Sequence, residues 1–258
     1  MRLLEEKIFK AEERYLFNLF DEVNTLFKNT WLPSHDAIHH KRVWELAKEL
    51  LRAYSLHQVT FTADFIEGLL VACMFHDVGL TKVLGFEHGK ESAEFASNYL
   101  NKIDYSKNLP VSEIIEAIER HDEKSYLSDS FDKNNPTIYD LLTVADDLDA
   151  FGALGLYRYF EIYHLRKLNI SEIPSLIKDN LQKRFQFVKK VIQVDSQLYQ
   201  HHLERYEMAQ MHLKNITSED LRLLLKQIDQ KEILEIIPAA SDCLEEFIHA
   251  ARKEAGMN

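Results

Sequence analysis

The sequence predicts an all-α protein, a helical bundle continued by a helical C-terminal extension. Three observations carry that expectation. Only seven glycines and five prolines occur in 258 residues, too few for the tight turns that strands need. Apolar residues recur at three- and four-residue steps and not in alternation. No internal repeat and no Gly/Ser-rich or Pro-rich tract divides the chain, so residues 1–258 read as one all-α unit.

In chain order, residues 1–29 form an amphipathic helix with Leu16, Phe20, Val23 and Phe27 at helical spacing. The stretch "WLPSHD" breaks it, and Ser34 or Asp36 can cap the next helix. That second helix, 37–54, carries His39, Val43, Leu46 and Leu50 on one stripe. A third covers 62–77, with Gly79 placed to stop it. Two more cover 89–101 and 112–121, the latter opened by Pro110 and Ser112. Asn135 as cap and Pro136 in the first turn start the helix of "TIYDLLTVADDLDAFG". After Gly152 and Gly155 the chain reads helical to its end, with breaks at 169–174, at the capping pattern of Thr217 and Asp220, and at 238–242.

Composition narrows the function. The chain is 46% apolar and 28% charged, ordinary for a soluble globular protein. A net charge of −11 without a basic stripe argues against nucleic-acid binding. A small anion remains acceptable if a metal or a local arginine receives it. The two cysteines, Cys73 and Cys243, form no disulfide framework and read as reduced, buried thiols. The opening 17 residues lack a continuous apolar run and hold four glutamates, so no secretory leader is expected. No run of about 18 apolar residues occurs, so no membrane span is expected either. The chain reads as cytoplasmic, with neither membrane nor nucleic acid as partner.

Four polar positions extend apolar stripes. In "ACMFHDVGL" (72–80), His76 continues Leu69 and Ala72, and Asp77 continues Ile66, Leu70 and Cys73. His39 lies on the stripe of its helix, and Asp146 follows Ile138 and Leu142 at four-residue steps. Periodicity therefore aims two imidazoles and two carboxylates inward from three helices. Burying a polar group unpaired costs roughly 2–7 kcal/mol, and two inward carboxylates repel unless protonated or bridged by a cation. Adjacent His-Asp pairs are weak evidence singly, since chance alone yields roughly 0.8 of them in a chain of this composition. Together, a His₂Asp₂ set suits a divalent ion such as Mn, Fe, Co, Ni or Zn, with Mg as the hard-ion alternative.

In these motifs the sequence resembles the HD superfamily of metal-dependent phosphohydrolases. "HDAIHHKRV" (35–43) looks like its opening motif, "MFHDVG" (74–79) like its central pair and "LLTVADDLDAFGALGLYR" (141–158) like its closing motif. The closest likeness is to a bacterial subgroup of cytosolic members. Val144 stands where that subgroup usually carries Asp. The resemblance covers about residues 30–160, an HD metal-binding core, and leaves 161–258 as the helical extension. It implies metal ligation by His39, His76, Asp77 and Asp146. Adjacent helical residues point about 100° apart, so His76 and Asp77 reach one ion only where the helix is irregular, a freedom Gly79 offers.

The expected chemistry is hydrolysis of a small phosphorylated molecule, a nucleotide by preference, by a metal-activated water. Asp77 could accept that water's proton, and Arg42 or Arg120 could clamp a phosphate oxygen. His35 and Asp36 read as caps or supports, Asp149 as an orienting group, and Lys82 and Lys90 as nearby cations. One tightly held ion is expected, with His121 touching substrate phosphate or a bound water. In two-metal members of the superfamily, two extra histidines fall between the His-Asp pair and the final Asp. His88 and His121 are the histidines in that interval, but a histidine at a helix start is usually exposed. Two competing readings stay open: a di-iron oxygenase on the same fold, and a non-enzymatic metal-stabilised binding module. The apolar faces of the C-terminal helices suit a pocket cover or a homodimer surface.

Overall fold

A computed structural model describes residues 1–103, 109–123, 131–193, 196–237 and 240–257. Among them every regular element is helical. Contacts divide the chain into two compact units: Met1–Thr30 with His35–Asp146, and Trp31–Ser34 with Asp147–Asn258.

The first unit begins with α1 (Arg2–Ala11), a π-helical turn (Glu12–Leu16) and α2 (Phe17–Phe27). Its buried stripe is Leu4, Ile8, Ala11, Tyr15, Leu19, Val23 and Phe27. Leu16 and Phe20, expected on that stripe, flank it half-buried. Four-residue steps overshoot a 3.6-residue turn by about 40° each, and the π turn takes up part of that drift. Next come α3 (Ala37–Leu56), α4 (Ala63–Phe75), a 3₁₀ turn (Val78–Thr81), α5 (His88–Leu100), α6 (Val111–Arg120) and α7 (Ile138–Asp149), of which the residues from Asp147 count with the second unit. Asp36, not Ser34, caps α3 by accepting from the amides of Ile38 and His39. α7 begins later than the Asn135-Pro136 signal implies. Thr137 and Asp140 exchange side-chain-to-amide hydrogen bonds at its start, a stronger cap than Asn135 provides.

α4 is the centre of this unit. Every residue from Ile66 to Phe75 is buried, as expected of a helix apolar on all sides, and α1, α2, α3, α5 and α6 pack around it.

The second unit holds α8 (Gly152–Leu165), α9 (Ile173–Val191), α10 (Gln197–Asn215), α11 (Ser218–Asp229) and α12 (Asp242–Glu254). α8 is likewise buried from Gly152 to Tyr163, with α9 to α12 against it. The expected capping pattern opens α11, where Thr217 and Asp220 form a reciprocal box. Ser241 caps α12; Pro238, part of the expected break there, lies outside the described residues. No described helix is long and apolar enough to cross a membrane.

Candidate metal centre

The site grows from the C-terminal end of α4. The helix stops at Phe75; His76 stays in helical backbone while Asp77 leaves it at φ −109°, ψ 5°. That break lets two adjacent residues aim at one point. Gly79 contributes differently from expectation. Its φ is not positive; what it supplies is a missing side chain, since a Cβ there would lie 2.0 Å from the His88 carbonyl oxygen. Its amide donates to Ser92 Oγ at 2.8 Å. Gly89 does the same between α5 and α6, where a Cβ would lie 2.4 Å from the Glu119 carbonyl oxygen. These two close approaches carry His88 and His121 to the end of α4.

Two groups of donor atoms result. In the first, His39, His76, Asp77 and Asp146 offer one ligand atom each, all four within 4.8 Å of one another. The Nε2 atoms of His39 and His76 are 3.2 Å apart. Asp77 Oδ2 is 3.5 Å and 3.6 Å from them, and Asp146 Oδ1 is 3.9 Å and 3.8 Å from them. The second group is Asp77, His88 and His121. Here Asp77 uses its other oxygen, with Oδ1 3.2 Å from His88 Nε2 and 3.1 Å from His121 Nε2. The two Nε2 atoms face each other at 3.4 Å. All six residues are buried.

The opposite ring nitrogens fix which atoms carry protons. His76 Nδ1 faces the Cys73 carbonyl at 2.9 Å, His88 Nδ1 the Gly85 carbonyl at 2.8 Å and His121 Nδ1 the Ile118 carbonyl at 2.7 Å. A carbonyl only accepts, so each Nδ1 donates and each neutral ring turns a bare Nε2 lone pair inward. In the second group two such lone pairs and a carboxylate oxygen converge. That convergence requires a cation, either a proton or a metal ion. Outer hydrogen bonds of this kind orient metal-binding histidines.

Electrostatics agree with that chemistry. Burial pushes the Asp77 carboxyl up, but the surrounding imidazoles of His76, His121, His39 and His88, in their protonated forms, outweigh it and hold it well below the usual carboxylate range. Burial lowers His76 to about 4 against the pull of Asp77. His121 moves upward: burial opposes, and the hydrogen bond and charge of Asp77 prevail. The donor set of imidazole nitrogens and carboxylate oxygens fits divalent transition metals, whose bonds to such atoms run about 2.0–2.2 Å.

Other expected residues divide. Arg42 lies one turn past His39 on α3 and is half-buried. Arg120 is a surface residue, engaged by Glu116 at 2.6 Å and Glu123 at 2.9 Å. Lys82 is exposed and pairs with Glu91, and Lys90 is exposed. His35 packs edge-on against His39, centroids 5.7 Å apart. Asp149 accepts from Arg158 within the second unit. His88, expected to be exposed, is 3% exposed. The available signal was the stripe His88, Ser92, Ala96 and Leu100 at four-residue steps, all buried.

A family model described as HD domain matches residues 36–153, a span containing all six residues of the two groups. No curated protein and no solved structure matches the chain.

Proposed function

Residues 36–153 belong to the HD domain family, and on that premise we propose that this protein is a metal-dependent phosphohydrolase of a small phosphorylated molecule. The observation that carries the reading is the convergence of bare imidazole nitrogens on both oxygens of one buried carboxylate, Asp77. His39, His76, Asp77 and Asp146 would hold one divalent ion. Asp77, His88 and His121 would hold a second, so Asp77 would bridge. Ions held there would supply Lewis acidity, polarising a phosphoryl oxygen and bringing the pKa of a coordinated water toward 7.

The chain's own residues do the rest. The carbonyls of Cys73, Gly85 and Ile118 fix three rings in the ligating tautomer. Burial keeps His76 neutral and therefore available as a donor. Asp77, central to both groups, would orient a coordinated water and could take its proton. Arg42, one turn from His39, is the candidate to receive a non-bridging phosphate oxygen. The net charge of −11 favours a small anion delivered to a metal over a polyanion spread on the surface, and a nucleotide is the preferred substrate class. A bound homodimer partner would be a property of the second unit's apolar helix faces.

The test is a panel of phosphomonoesters and nucleotides with Mn²⁺, Ni²⁺, Co²⁺, Fe²⁺ and Mg²⁺. Turnover by wild type and none by Asp77→Ala supports the reading; no turnover of any phosphate ester or anhydride overturns it. The second donor group also suits a redox-active iron pair. Dioxygen consumption by iron-loaded protein, with no phosphate release, would install that second reading instead.

A further inference from the structure

We infer that His40, which follows His39 in sequence, is a positioning residue for the centre, bracing the end of α4 by sharing the Cys73 carbonyl with His76. The inference rests on the metal-centre reading above. His40 is wholly buried and belongs to neither donor group. Its Nδ1 faces the Cys73 carbonyl oxygen at 3.3 Å, the same atom that His76 Nδ1 reaches at 2.9 Å. Cys73 lies in the last turn of α4, where the helix leaves its own carbonyls without amide donors. Two imidazoles from different elements thus converge on one carbonyl, immediately before the break that frees His76 and Asp77.

The packing points the same way. The His40 ring centroid is 4.9 Å from that of His76 and 5.3 Å from that of His39, with Phe27 at 5.5 Å on another side. His40 is therefore wedged against two of the four residues of the first donor group. Its Nε2 is buried and has no hydrogen-bond partner, a cost that an apolar residue of similar size would avoid. A residue chosen only to fill space would be leucine or phenylalanine. What the imidazole adds at this position is the Nδ1–H toward Cys73.

The experiment uses Co²⁺ as probe on the full chain, read by calorimetric titration and by the visible spectrum of the bound ion, which reports ligand geometry independently of activity. His40→Leu removes the donor that helps hold the Cys73 carbonyl, the outer partner of His76, and should weaken Co²⁺ binding by up to the roughly 10- to 100-fold that loss of outer support costs, and alter the spectrum. His40→Asn places an amide N–H near the Nδ1 position and should recover most of the affinity and the wild-type spectrum. His40→Gln places its N–H farther out and should not. If His40→Leu does not fold, the Asn and Gln pair decides alone. Equal affinities and spectra across the folded variants overturn the inference and leave the metal-centre reading intact. Wild-type protein that takes up no Co²⁺ overturns both.

Discussion

Each unit is built around one helix buried on every side, α4 in the first and α8 in the second, yet the acids around α8 and the acid at the end of α4 meet different partners. Around α8, Asp149 accepts from Arg158 at 2.8 Å, Asp147 from Arg184 at 2.5 Å, and Glu161 from the hydroxyl of Ser34 at 2.7 Å. At the end of α4, Asp77 is met by the imidazoles of His39, His76, His88 and His121. Arginine is permanently charged and offers only donors, so an acid paired with it is neutralised for good. Imidazole can give up its proton and present a lone pair, so an acid ringed by it is neutralised conditionally, by whatever cation is available. Burial of an acid therefore does not mark a metal centre; the kind of partner does. Asp146, Asp147 and Asp149 make the point within one helix, since they are near neighbours in α7 and meet different partners.

The comparison breaks most visibly at Asp77. Asp77→Asn should lose bound metal, measured by elemental analysis, and all phosphohydrolase activity, with helix content by circular dichroism unchanged. Retained metal in that variant would remove Asp77 from the centre. The counterpart in the second unit is Arg158→Met, which removes the guanidinium that meets Asp149 at 2.8 Å. It should cost about 3–5 kcal/mol in denaturant unfolding while metal content stays at the wild-type value. Replacing both residues, Arg158→Met with Asp149→Leu, should recover most of that loss, because a well-packed apolar pair commonly equals a buried ion pair. A double variant as unstable as the single one would show that the cost lies elsewhere.

Chelation sharpens the same contrast. A ligand at 100 times its Kd adds about 2.7 kcal/mol to folding stability. Removing metal from wild type under such conditions should lower stability by that order, and removing it from Asp77→Asn should change nothing. Arg158→Met should show the wild-type increment, because its lost pair plays no part in ligation. His88→Ala is narrower still. Two ions per chain should fall to one, with about a 10- to 100-fold loss in activity if the second ion assists the first. One ion per chain in both proteins would leave His88 and His121 as outer hydrogen-bond partners of Asp77.

The legible part of the fold was what depends on period alone. His39, Val43, Leu46 and Leu50 share a helix face because 3.6-residue spacing puts them there, and all are buried. Period likewise aims His39, His76, Asp77 and Asp146 inward, each from its own element; their meeting at one point was what the family resemblance implied. What depends on contact between helices was not legible. Gly79 reads in sequence as a helix stop, yet it serves a 3₁₀ turn pressed against α5, a fact that requires knowing which helix is the neighbour. His88 reads as a solvent-facing helix start for the same reason, and Gly89, the residue that lets α6 approach, is just as silent by itself. Arg120 shows the limit from the other side. Proximity to His121 in sequence suggested a clamp, but one residue along a helix turns a side chain by about 100°, here to the surface and its two glutamates.

The smallest expected effect separates the units by acid. In the second unit His212 is 5% exposed, with its ring 5.5 Å from that of Phe247. Burial lowers its pKa, and Glu246 and Glu254 only partly offset that. The unfolded value is near 6.5, so the folded value lies below it. The stability that a neutral His212 contributes is then present in full above about pH 6.5 and is lost as pH falls from there through the folded value, because only the unfolded chain takes up the proton. His212→Phe should therefore flatten the dependence of unfolding free energy on pH between about 7 and 5. The measurement belongs in the Asp77→Asn background, where no metal is bound and competition between protons and metal for His39 and His76 cannot mask it. Equal slopes for His212 and Phe at that position would mean that His212 contributes nothing to acid sensitivity.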